Sequence, residues 1–309
     1  MGAEQQRRPA AAATRRGAGG RGPWLALAPA LFVLLWATGF VGAKFGLPYA
    51  PPLTFLALRH VIVALVLFLW ALATAKAWPT TWRQLGHIAL VGVLLHGVYL
   101  GGVFVAMSWG LEAGTSALIV SVQPLLVAAL AGPLLKERVT RRQWIGLLLG
   151  LAGVALVVWR KAGFDADTLA GVWLCLASLV AITVAVLYQK RYLGDMPFLA
   201  GNALQFAFAA LAALAAALLF EEIQVVWTWR FAFALGWLVV VLSLGAVALL
   251  LMLVRRGAAS RVSSLFFLVP PTAALMAWPL FGEVMSPLEL GGMALVMAGV
   301  ALVNLRARA

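Results

Sequence analysis

The chain has 309 residues, of which 64% are hydrophobic and 11% are charged, and its formal charge is +13. A soluble domain is about 45–50% apolar and about 25% charged, so this composition excludes a water-soluble globule and requires contact with lipid. The single cysteine, Cys175, excludes an internal disulfide and a cysteine-based metal or redox centre.

Residues 1–23 are rich in Ala, Gly and Arg and poor in bulky apolar groups. Such a segment cannot bury a core and is predicted to be a disordered basic tail. The apolar run 24–46 that follows is long enough to cross a bilayer core of about 30 Å, so it reads as a first span and not as a cleaved signal peptide. Nine more runs follow at 53–73, 86–107, 114–134, 143–159, 169–188, 197–219, 231–253, 261–280 and 287–305. They are rich in Leu, Ala and Val without period-2 alternation, and backbone in lipid must satisfy its own hydrogen bonds, so helices are predicted over barrel strands. The expected fold is an all-α polytopic membrane protein of ten transmembrane helices. Connections are short, several carry proline (Pro51, Pro52, Pro79, Pro197), and none is large enough for a soluble domain. Function must reside in the bundle.

With the N-terminus in the cytoplasm, 18 of the 23 Lys and Arg fall on that side, from the five arginines of the tail to Arg306 and Arg308. Lys44, Arg160, Lys161 and Arg230 fall on the other side, and Arg59 lies within the second span. This bias predicts a multi-pass protein of the cell's inner (plasma) membrane with both termini on the cytoplasmic side. It also accounts for the net charge without nucleic acid, because no basic amphipathic face or nucleic-acid motif accompanies it.

A shift of 146 residues superimposes 124–160 on 270–306, with 15 of 37 pairs identical and no gap. Pro124 meets Pro270, Pro133 meets Pro279, Glu137 meets Glu283, Gly146 meets Gly292 and Gly153 meets Gly299. The same shift takes Lys44 to Lys190, at the ends of spans one and six. Each copy holds five spans, an odd number, so the second copy enters the membrane upside down. The first repeat is assigned to 24–160 and the second to 167–306. Inverted repeats are a recurring transporter design, with the solute site near the midplane between the halves.

Local motifs carry the reading further. The first span contains Leu35-Trp36-Ala37-Thr38-Gly39-Phe40 and ends at Lys44; the second opens Pro52-Leu53-Thr54-Phe55 and reaches Arg59. The fourth runs from Ser116-Ala117-Leu118 through Gln123-Pro124-Leu125 to Lys136-Glu137-Arg138, and the fifth holds Gln143-Trp144-Ile145-Gly146 with Gly150 and Gly153. With the ten spans and the duplication, these residues resemble the drug/metabolite transporter superfamily, in the form with two EamA domains. The second copy departs from the first at Gly282-Glu283-Val284, which lacks basic flanks, and at Gln205, where the first has Arg59. The resemblance implies a permease, often an exporter, for small metabolites such as amino acids.

Candidate site residues follow from polarity inside the spans. Pro124 and Pro270 break helices near mid-span at matching positions, a pointer to a binding site or else ordinary kinks. Arg59 and His60 lie roughly two turns into span two; Arg59 either faces a cavity, where it attracts a carboxylate, or snorkels to the interface. His96 and Tyr99 share one face of span three. Gln123, Asn202 and Gln205 either line a path or bond a neighbouring helix. Trp36 is positioned to stack on a solute or to anchor the interface. Glu137 and Glu283 are read as structural helix-end carboxylates, and Gly146, Gly153, Gly292 and Gly299 as close-packing positions. None of the ten acidic residues falls at a midplane, so any proton coupling would rest on His60, His96 or another route. No phosphate-binding GxxxxGK[ST] loop is present, which argues against direct ATP drive. The pattern calls for no metal and no cofactor. The partners expected are a small solute and membrane lipid. The competing readings are an intramembrane lipid-modifying enzyme, which would need clustered acids or an HExxH motif, and a structural membrane protein without a pathway. Substrate, direction, coupling ion and oligomeric state are left open.

Overall fold

Prolines, threonines and an aspartate set the helix starts. The computed structural model describes residues 23–75, 77–135, 140–161, 165–246, 249, 252–253 and 264–304. The predicted tail, apart from Pro23, and Glu137 lie outside the described residues. α1 is described over Pro23–Gly46, Pro52 opens α2 (Pro52–Thr74) and Pro287 opens α11 (Pro287–Asn304). Proline suits a first helical position because its missing N–H would be unpaired there anyway. Thr81, Asp165 and Thr228 cap α3 (Trp82–Ser108), α7 (Ala166–Tyr192) and α9 (Trp229–Ala246), each side chain accepting from a first-turn N–H. The Thr168 N–H and hydroxyl also hold the Asp165 carboxyl below its ordinary pKa.

The fourth span is split into α4 (Ala113–Val120) and α5 (Gln123–Leu135). The remaining elements are α6 (Arg141–Lys161), α8 (Phe198–Phe220), a 3₁₀ turn Ser264–Leu268 and α10 (Val269–Phe281). Gly282 ends α10 in the left-handed region at φ 69°, where glycine carries no Cβ penalty. Among the described residues eight helices are long and apolar enough to cross a membrane, and two shorter apolar helices bring the number of spans to the ten expected. The predicted eighth span, 231–253, is described continuously as far as Ala246.

The 146-residue register is visible in three dimensions. Applied to α2 it gives 198–220, the bounds of α8, and α2 packs along α8. Applied to the start of α6 it gives Pro287, the start of α11, and α6 packs along α11. Gly146 lies on the backbone of Gly299, and Gly153 on that of Gly292. Any Cβ at these four positions would meet a carbonyl of the other helix, so the glycines allow the two backbones to touch. The fold is thus two inverted five-helix repeats joined by equivalent helices.

At one end of the bundle the loops interlock. Lys44 at the end of α1 pairs with Glu283 after α10, and the same carboxylate accepts from the Ala113 N–H that starts α4. Glu221 reaches from the end of α8 to accept from the Leu53 and Thr54 N–H groups and the Thr54 hydroxyl, capping α2.

Candidate functional site

The two repeats depart from regular α-helix at matching places. Residues 93–98 of α3 form a π-helical turn, and the repeat register carries them to 239–244, inside the π-helical stretch 237–246 of α9. Such turns widen the helix and are frequent at functional sites. They carry His96 and Ser243, and Tyr99 follows the first of them. Pro124 has no N–H to give the Val120 carbonyl, and Pro270 has none for the Phe266 carbonyl. Val120 and Phe266 are themselves repeat equivalents.

These irregular segments surround one cavity of about 310 Å³ in the middle of the bundle. Its lining runs from Met107, one residue before the end of α3, to Gln189 and Asn202, near the helix ends on the side opposite Lys44. The Lys44 side is apolar (Val103, Phe104, Met107, Ala117), and the opposite side is polar (Gln189, Asn202, Gln205). Between them lie Arg59, His96, Tyr99, Ser121, Gln123 and Ser243. An aromatic wall closes one flank, with Trp36 edge-on to Phe266 at 5.1 Å and Phe32 packed behind both.

Arg59 is the charge at the centre. It is 4% exposed, and its Nε and one Nη donate to Ser243 Oγ at 3.3 and 3.0 Å. Ser243 in turn donates to the Leu238 carbonyl, five residues back, a reach that the π turn permits. A basic side chain at the centre of a membrane helix costs about 3 kcal/mol, and a hydrogen bond to a neutral hydroxyl returns about 1 kcal/mol. The serine alone therefore leaves Arg59 undercompensated. Among the described residues no Asp or Glu lines the cavity. Nor do three His, Cys, Asp or Glu side chains gather anywhere among them to hold a metal ion.

Of the residues singled out from the sequence, Trp36, Arg59, His96, Tyr99, Gln123, Pro124, Asn202 and Gln205 line the cavity. His60 lies behind the wall, fully buried, its ring 6.0 Å from His96 and 5.5 Å from Phe206. Pro270 is also behind the lining, which its neighbour Val269 supplies. Glu283 takes part in the Lys44 pair, away from the cavity. Sequence reasoning passed over Ser243, Gln189, Phe206 and Phe266, all of which line the cavity. The repeat register held a signal for Ser243, since it stands opposite Gly97, next to His96.

Two inverted repeats around a central cavity with broken helices at matching positions define a membrane transporter. The chain belongs to the EamA-like transporter family, which matches residues 22–159 and again 169–305. It is 30% identical over 294 residues to the uncharacterized transporter YvbV of Bacillus subtilis (strain 168), covering 92% of each chain. It is 27% identical to a probable amino-acid metabolite efflux pump of Salmonella typhimurium, over 87% of this chain and 91% of that one. It is 30% identical to a probable terminal-alkyne amino-acid exporter of Streptantibioticus cattleyicolor, over 89% and 92%. A solved crystal structure, 22% identical, superposes with a TM-score of 0.65 over 92% of this chain and 98% of its own, which shows the shared fold. The family is one of transporters and not of enzymes, which removes the lipid-modifying reading.

Proposed function

We propose that this protein is a secondary transporter that exports small metabolites, amino acids or related solutes among them, by alternating access through the central cavity. The observation that carries this reading is the cavity itself, lined by residues of both repeats and carrying Arg59, His96, Tyr99, Gln123, Asn202 and Gln205. The positive-inside bias supports an inner-membrane orientation with both termini in the cytoplasm and the Lys44 end outside. On that placement the polar Gln189–Asn202 side faces the cytoplasm and receives solute, while the Lys44–Glu283 pair holds the outer side shut. The repeats 24–160 and 167–306 are then the halves that rock against each other. The names of the Salmonella and Streptantibioticus relatives support an amino-acid-like cargo.

The test is efflux of a metabolite panel from proteoliposomes containing the full chain, beside protein-free liposomes. Protein-dependent efflux of at least one small organic solute is expected; none across the panel would refute the reading. Reporter fusions at each terminus check the orientation, and an external C-terminus would contradict it.

A further inference from the structure

The charge pattern of the cavity constrains what can occupy it. Arg59 is buried, lines the cavity and gives two of its N–H groups to one neutral oxygen, Ser243 Oγ. Guanidinium carries five N–H donors in a planar fork, so most of its capacity is unused. Among the described residues no carboxylate lines the cavity to balance it. Among the described lining residues are Tyr99 and His96, whose Nε2 is buried and makes no hydrogen bond. The lining also includes the edge-on Trp36–Phe266 pair.

The geometry points to a solute that carries a carboxylate, received by the free donors of Arg59, on an apolar body that packs against Trp36 and Phe266. This rests on the reading of the cavity as the transport site. A planar carboxylate matches the guanidinium fork, and the single unbalanced positive charge matches one negative charge. A cationic amine finds no carboxylate among the described lining residues and meets Arg59 instead. The required feature is therefore the acid group, and the amine of an amino acid is dispensable. Ser243, on the second repeat, holds the guanidinium in place from across the interface between repeats.

The experiment uses the full chain in proteoliposomes and a set of apolar and aromatic side-chain skeletons. Each skeleton is offered as the free amino acid, the N-acetylated acid and the primary amide of the amino acid. For every skeleton carried, both acids are expected to outpace the amide by about tenfold or more, the worth of a charge-assisted hydrogen bond. Arg59→Gln is expected to erase that ratio and Arg59→Lys to keep part of it. Carriage of the amide as fast as the acids would overturn the assignment while the transport reading stands, and this arm needs no variant. An undiminished ratio in a folded Arg59→Gln protein would overturn it as well. If no skeleton is carried in any form, while other solutes of the metabolite panel are, the assignment fails alone. If nothing at all is carried, the transport reading fails with it.

Discussion

The two repeats share a frame and differ in chemistry. In the first, the cavity is lined by Arg59, His96, Tyr99 and Gln123; the register places Gln205, Leu242, Gly245 and Val269 at the same points of the second. The second contributes polar groups elsewhere, with Ser243 opposite Gly97, Asn202 opposite Leu56 and Gln189 opposite Ala43. By contrast the helix bounds, the paired prolines, the π turns and the four interlocking glycines repeat across both halves. Under the alternating access proposed above, backbone features that let two halves exchange places have to match, because each half takes the other's pose. Side chains that recognise one solute need only be present once. The inverted frame is therefore symmetric in its backbone breaks and close crossings and asymmetric in the polar groups that line the cavity.

The symmetric part can be broken most severely. Gly153→Leu drives a side chain into the Gly292 carbonyl, and its repeat equivalent Gly299→Leu does the same at Gly146. Each is expected to cost about 3 kcal/mol, at the upper end for overpacking, and to remove most of the folded peak in size-exclusion chromatography. Equal failure of the two would support the shared frame, and tolerance of either would break it. Next comes Glu283→Gln, which leaves Lys44 without its partner and weakens the tie between α1, α10 and α4. A loss of about 1–3 kcal/mol in thermal unfolding is expected, with partial recovery in the exchange Lys44→Glu/Glu283→Lys.

The asymmetric part responds with the opposite sign. Arg59→Gln removes an undercompensated buried charge and is expected to stabilise the protein by about 1–2 kcal/mol while solute binding falls. A thermal shift series would detect the change, and a marked loss of stability would mean that Arg59 serves packing. The smallest effect belongs to Ser243→Ala. It is expected to cost about 1 kcal/mol and to raise KM more than it lowers the maximal rate, with Ser243→Thr restoring KM.

Much of this frame was legible in the sequence. Apolar length gave the spans, and the identity of Pro124 with Pro270 and of Gly153 with Gly299 gave the repeat, because membrane helices need length and close crossings need small residues. Arg59, His96, Tyr99 and Gln205 were legible because polarity inside lipid is costly and so is rarely idle. His60 carries the same signal as His96 yet lies behind the wall, since polarity does not say which side of a helix meets a cavity. Ser243 was silent because a serine satisfies itself on its own helix at little cost, as Thr183 and Ser178 do here. The π turns were silent too, for they have no composition of their own and appear only when the helices pack. The pairing of Lys44 with Glu283 joins residues 239 positions apart, a distance that no local pattern bridges.

The most direct test fills the cavity. Ser121 lines it at the break between α4 and α5, whereas Leu148 lies on the outer face of α6, 64% exposed. Efflux from proteoliposomes would be compared for wild type, Ser121→Trp and Leu148→Trp, each shown to be folded by size-exclusion chromatography. Passage through the cavity requires that Ser121→Trp stop efflux and that Leu148→Trp leave it intact. Undiminished efflux through a folded Ser121→Trp protein would contradict it.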